Sequence, residues 1–122
     1  MKPSILITGA SGGIGRALVL RLADEYQIYA TGRKSALLQA FPDGVQTLSG
    51  DLASEVFRTQ LSEWASGVTS IVHNAGFAPN IDVQDTDSAF DRMVFETNAI
   101  APLDLTRKMQ DSLDRKSTRL NS

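Results

Sequence analysis

The sequence contains no cysteine, which excludes disulfides and every cysteine-ligated metal site. A single histidine, His73, excludes a multi-histidine metal centre within one chain, so no metal is expected. No apolar run approaches the ~20 residues of a membrane-spanning helix, and no membrane partner is expected. The formal net charge is only −2, and no block of basic residues occurs before the last nine positions. That argues against nucleic acid as the partner. Met1–Gly9 passes straight into a strand pattern and leaves no room for the apolar core of a signal peptide. A cytoplasmic location is therefore expected.

What remains is ordinary globular composition, 42% hydrophobic over 122 residues, enough for one small domain. Ser4–Thr8 is a short apolar run ending at Gly9 and reads as a buried strand. Gly13 opens a helix with Ile14, Ala17, Leu18 and Leu22 on one face, closed by Asp24-Glu25. Gln27–Thr31 is a second strand, stopped by Gly32. Ser35 is placed to cap a short helix, Ala36–Phe41, which Pro42-Asp43-Gly44 terminates. Val45–Ser49 is a third strand. Ser54 caps a helix carrying an apolar stripe of Val56, Phe57, Leu61 and Trp64, with Gly67 at its end. Ser70–His73 is a fourth strand and Phe77–Asp85 a loop. From about Asp87 a long helix runs to Met109, with Pro102 a bend or a boundary. Strands and helices alternate four times, which predicts the α/β class: a parallel sheet with right-handed crossovers and helices on both faces.

The last nine residues, Asp114 to Ser122, stand apart. The nucleotide string GATCGGAAGAGCACACGTCTGAACTCC, the start of a common short-read sequencing adaptor, translates codon by codon to this segment. The competing reading is a basic, solvated helix end. The expectation is that 114–122 is not native and that 1–113 is an incomplete domain whose chain continued past Leu113. Removing Arg115, Lys116, Arg119 and Asp114 takes Lys+Arg from 12 to 9 and Asp+Glu from 14 to 13, a net charge of −4.

The chemistry is concentrated at strand ends. Thr8-Gly9-Ala10-Ser11-Gly12-Gly13-Ile14-Gly15 lies between the first strand and the first helix. Gly9 suits a tight turn, Gly13 the approach of backbone to a pyrophosphate, and Gly15 close packing of the helix; free N–H groups at the helix start would hold phosphates. By itself such a cluster is also compatible with a tight turn alone. It lacks the Gly-Lys-Ser/Thr ending of a P-loop, which disfavours an ATPase or GTPase. A phosphate loop after the first strand places that strand centrally, in the order 3-2-1-4 of a Rossmann-type doubly wound sheet. After the second strand, where a carboxylate would bind the ribose hydroxyls of NAD, stand Gly32-Arg33-Lys34. Glycine leaves room, and the two cations favour the 2′-phosphate of NADP, with NAD the weaker alternative. The competing reading is two solvated charges.

TGASGGIG, Asp51-Leu52 after the third strand, Asn74-Ala75-Gly76 after the fourth, and Asn98 in the long helix together resemble the short-chain dehydrogenase/reductase family, from Ile5 to about Met109. The resemblance implies that Ser11 and Ile14 contact cofactor phosphates and that Arg33, with Lys34, holds the 2′-phosphate. Asp51 would accept from the adenine amino group with Leu52 beside it. Asn74 would fix the fourth strand, Ala75 and Gly76 would line the ribose, and Asn98 would be catalytic, holding a water in a proton relay. Other readings stay open: Asp51 as a helix cap, Asn74 as a turn residue, Asn98 as a polar residue buried between helices, His73 as structural. The resemblance also implies a small-molecule carbonyl or alcohol substrate and a homo-oligomeric parent protein. The family's chemistry uses a serine and a Tyr-x-x-x-Lys. The tyrosines here, Tyr26 and Tyr29, do not begin that pattern, so the chain itself is expected to be inactive. The alternatives are a non-catalytic NADP-binding regulator, and a methyltransferase, which Arg33 and Asn74-Ala75-Gly76 disfavour.

Overall fold

The computed structural model describes residues 2–76, 84 and 86–113. The loop expected over 77–85 lies almost wholly outside the described residues, and 114–122 lies wholly outside them. Four strands, β1 (Ser4–Ile7), β2 (Gln27–Gly32), β3 (Gln46–Ser49) and β4 (Ser70–Val72), form one sheet in the order β3-β2-β1-β4. All pairings are parallel, with Ile5 opposite Ile28 and Ser70, and Thr31 opposite Leu48. Helices α1 (Gly13–Leu22), α2 (Ser35–Gln39), α3 (Glu55–Trp64), α4 (Ser88–Phe95) and α5 (Ala101–Lys108) complete the chain, with a π-helical turn at Glu96–Ile100 between the last two.

The alternation of side chains along β1 divides the core. Ile5 and Ile7 join Val19 of α1, Ile28, Ala30 and Leu38 on one face. Leu6 points the other way, onto Phe57 and Leu61 of α3 and Leu105 and Met109 of α5. Leu6, Ile7, Leu61 and Leu105 are essentially inaccessible. Each such aliphatic side chain contributes about 1.5–3 kcal/mol by leaving water, so both faces of β1 are anchored and the glycine loop after it has a rigid base.

Three sequence expectations need correction, and a fourth, the bend or boundary at Pro102, is made specific. The inner face of α1 is Gly15, Leu18, Val19 and Leu22, a regular i, i+3, i+4, i+7 set; Ile14 is 73% exposed and turns toward the C-terminal end of the sheet. In α3 the buried set is Phe57, Arg58 and Leu61, and Val56 is 81% exposed because it sits one residue off that stripe. Ser35 is already the first helical residue of α2; Lys34 occupies the cap position, without a side-chain cap. The long helix is interrupted. Pro102 has no N–H for the Asn98 carbonyl four residues back, and its ring crowds that carbonyl. The backbone widens just ahead of it, where the Ala101 N–H reaches back five residues to the Glu96 carbonyl. The predicted caps at Ser54 and Asp87 are present, accepting from the Phe57 and Phe90 amides at 3.3 and 2.8 Å.

Candidate functional site

A cleft of about 510 Å³ opens at the C-terminal ends of the strands, the position at which open α/β sheets bind ligands. Every strand sends its following loop into it: Gly9 and Ser11–Ile14 after β1, Arg33-Lys34 after β2, Gly50–Leu52 after β3, and Asn74–Gly76 after β4. Gly32 and Thr31 at the end of β2 line it too, as does Thr97 from the π-turn.

The loop after β1 takes its shape from three constraints. Gly9 has φ +66°, a left-handed conformation that L side chains rarely adopt, and a Cβ there would lie 2.8 Å from the Ala75 backbone. A Cβ on Gly15 would overlap the Gly9 carbonyl and come within 2.7 Å of the Asn74 amide nitrogen, so α1 can approach the loop only with glycine at this position. The Thr8 hydroxyl, almost wholly buried, accepts from the Asn74 and Ala75 backbone N–H groups at 3.1 and 3.0 Å and donates to the Val72 carbonyl at 3.4 Å. The Asn74 side chain donates to the Gly9 carbonyl at 3.3 Å. Thr8 and Asn74 thus lock the loops after β1 and β4 together.

The N-terminus of α1 is left open toward the cleft. Its cap residue, Gly12, offers no side-chain acceptor, and no acidic residue lies in the first turn. The first-turn N–H groups have no intrahelical acceptor, and with the positive end of the helix dipole they suit an anion. Around Gly13 nothing lies within 4 Å of where a Cβ would stand, which leaves the backbone accessible. At Gly32 the expected room is taken up by the protein itself: a Cβ would come within 2.6 Å of the Ser11 hydroxyl, so this glycine admits the loop after β1. Arg33 and Lys34 are exposed at the rim. These features fit a dinucleotide phosphate and its flanking groups.

The acidic residue after β3 is held in place. Asp51 Oδ1 accepts from the Ala53 amide at 3.0 Å, and the Asp51 carbonyl accepts from the Ser54 amide at 3.0 Å. Ser54, not Asp51, is the helix cap. The neighbouring Leu52 carbonyl accepts from Arg58 Nη1 at 2.7 Å. Arg58 also donates to Asp104 Oδ2 at 2.6 Å and Glu96 Oε1 at 3.1 Å, joining α3 to the π-turn and to α5. Burial pulls the guanidinium pKa down, but the bonds to Asp104 and Glu96 more than offset this and leave it raised. Asp104 is held below the usual carboxylate range, chiefly by the bond from Arg58.

Of the residues expected at the site, Gly9, Ser11, Gly13, Ile14, Arg33, Lys34, Asp51, Leu52, Asn74, Ala75 and Gly76 all line the cleft; Gly15 supports it from beneath. Asn98 is exposed in the π-turn, not buried between helices, and its Oδ1 would stand 3.7 Å from a Cβ placed on Gly76. His73, expected to be structural, is not among the cleft-lining residues: its Nε2 is hydrogen-bonded with the Thr106 hydroxyl at 2.8 Å, and burial lowers its pKa. Thr8, Thr31, Arg58 and Thr97 were missed. Thr8 had a signal, its place ahead of Gly9, and Arg58 had one in standing among the apolar residues of α3. Among the described residues, no tyrosine lines the cleft and no group of three acidic or histidine side chains could hold a metal ion. No described helix is long and apolar enough to cross a membrane.

The fold is shared with known proteins. A short-chain dehydrogenase/reductase of Pestalotiopsis microspora is 30% identical over 105 residues, covering 84% of this chain and 39% of that protein. A solved short chain dehydrogenase/reductase family protein superposes with TM-score 0.82 at 24% identity, over 93% of this chain and 51% of its own. L-Sorbose reductase from Gluconobacter frateurii, solved with NADPH and L-sorbose, superposes with TM-score 0.76 at 22% identity, over 95% and 49%. The chain thus spans about half the length of the proteins it resembles, or less. The family model for short chain dehydrogenases matches residues 3–119, nearly the whole sequence, and with the four loops converging as described the chain belongs to the short-chain dehydrogenase/reductase family.

Proposed function

We propose that this chain is the NADP(H)-binding half of an oxidoreductase that interconverts a carbonyl and an alcohol. The observation that carries the reading is the pairing of an uncapped helix N-terminus with Arg33 and Lys34 on one cleft, with no carboxylate at the end of β2. NADPH in the L-sorbose reductase structure supports it. When bound, a nicotinamide coenzyme supplies the hydride.

The residues of this chain bind and orient. First-turn amides of α1 and Ser11 receive the pyrophosphate, Arg33 with Lys34 the 2′-phosphate, and Asp51 with Leu52 the adenine. Ala75 and Gly76 line the ribose. Asn98 positions a water for a proton relay. Among the described residues we assign none to proton transfer: Tyr29 packs its ring edge-on against Trp64 at 5.1 Å between centroids, and neither Tyr26 nor Tyr29 lines the cleft. We read 1–113 as an incomplete domain, so that the chain alone binds cofactor but does not turn over; the family match does run six residues past Leu113.

The test is calorimetric titration with NADPH and NADH. Wild type should prefer NADPH. Arg33→Asp should weaken NADPH binding by about one to two decades, the loss of a charge-assisted contact of roughly 1.5–3 kcal/mol. Equal NADPH affinity in both proteins contradicts the assignment.

A further inference from the structure

Thr31 is 1% exposed, and its Oγ1 is a buried side-chain oxygen with no hydrogen-bond partner among the described residues, although the residue lines the cleft. Its backbone carbonyl accepts from the Ala10 amide at 2.9 Å, and the residue sits opposite Leu48 in the β2–β3 ladder. A hydroxyl without a partner is costly in such a place. Valine has nearly the same shape, favours strands equally, and would carry no such cost. The hydroxyl therefore has a use outside the protein's own hydrogen bonding.

Its position says which ligand. Along β2, Ile28 and Ala30 face the α1–α2 side, while Tyr29 faces α3. By alternation Thr31 shares the face of Tyr29. That places it at the β3 side of the cleft, with Gly50–Leu52, and on the far side of β1 from Asn74–Gly76 and Thr97. Resting on the dinucleotide reading above, this is the adenosine end. We infer that the Thr31 hydroxyl is a binding group for the adenosine portion of the dinucleotide, hydrogen-bonding a ring nitrogen or a ribose hydroxyl, and that it tightens cofactor binding at the expense of ligand-free stability.

The opposed signs make the test sharp. The full 122-residue chain is compared as wild type, Thr31→Val and Thr31→Ser. Melting temperature is read without ligand, and affinity is read for adenosine 5′-monophosphate, adenosine 2′,5′-bisphosphate and nicotinamide mononucleotide. Thr31→Val should melt at or above the wild-type temperature yet bind both adenosine nucleotides about fivefold to tenfold more weakly. Nicotinamide mononucleotide binding should be unchanged, and Thr31→Ser should restore the adenosine affinity. Unchanged adenosine nucleotide affinity in Thr31→Val overturns the inference. So does a lower ligand-free melting temperature, which would make the hydroxyl structural. A loss confined to the 2′,5′-bisphosphate would move the contact to the phosphate and overturn the adenosine assignment. A wild-type chain that binds no adenine nucleotide at all overturns the dinucleotide reading itself.

Discussion

Arg58→Met tests how the cleft is held from behind. The guanidinium is 3% exposed and reaches three acceptors on three segments: the Leu52 carbonyl, Asp104 and Glu96. Methionine fills most of the volume but leaves the carbonyl unpaired and two carboxylates without their cation. Removing one member of a fully buried ion pair costs about 3–5 kcal/mol. Here Asp104 is 18% and Glu96 35% exposed, and Asp104 keeps Lys108 at 3.1 Å, so water and lysine recover part of the loss. The expected cost is about 2–3 kcal/mol, or a fall in Tm on the order of 10–20 °C for a domain this size. Trp64, packed in the same cluster and against Tyr29, reports the transition by fluorescence in a urea titration. The variant should also lose acid sensitivity. Because the folded Asp104 carboxyl has its pKa lowered from 3.8, chiefly by Arg58, the unfolded chain takes up that proton first. The stability it contributes is complete above the unfolded value and is lost as pH falls through the folded one. Arg58→Met should flatten this part of the pH dependence. A variant as stable as wild type, with the same acid limb, would refute the reasoning.

Other outcomes follow from the same geometry. Gly15→Ala drives a methyl into the Gly9 carbonyl and the Asn74 amide, so NADPH binding should fall below detection by calorimetry while circular dichroism still shows the helices. Thr8→Val removes the acceptor for two half-buried amides and should cost about 1–3 kcal/mol in urea unfolding. His73 has its pKa lowered by burial, so the unfolded chain protonates first as pH falls through about 6.5; stability should decline below that pH and level off below the folded pKa, and His73→Gln should abolish the decline in thermal melts from pH 8 to 5. With Phe95 and Leu103 each 62% exposed and no strand beyond β4 in the sheet of the described residues, the isolated chain should elute in size-exclusion chromatography as self-associated species.

The sheet was legible because its signals are local and mutually consistent. Ser4–Ile7 is a short apolar run and Gln27–Gly32 an uncharged one, as suits strands covered on both faces, and the glycines at 9, 13 and 15 stand at the strand–helix junction. The convergence of Arg33, Asp51 and Asn74 followed from topology, since in a parallel sheet every strand ends on the same side. What escaped was governed by partners distant in sequence. Arg58 is charged, and nothing near it in sequence announces Glu96 and Asp104. Val56 looks apolar enough for the core but lies off the stripe that α5 covers. Ile14 fits a helical pattern, yet the close approach enforced by Gly15 rotates it out toward the cleft. The π-turn depends on how a helix absorbs Pro102, and a proline in sequence says only that something must give. Thr31 reads as a strand residue like any other; its unpaired hydroxyl exists only once β2, β3 and the glycine loop are assembled.

The central claim is that the cleft at the strand ends binds a phosphorylated nicotinamide dinucleotide. The most direct measurement is an NMR titration of the isotopically labelled chain with NADPH, following backbone amide resonances. The shifts should concentrate at Gly12–Ile14, Arg33-Lys34, Asp51-Leu52 and Gly76, with NADH giving the same pattern at higher concentration and with a smaller response at Arg33. Absence of shifts at the glycine loop, or shifts centred instead on the outer surfaces of α3 and α5, would contradict it.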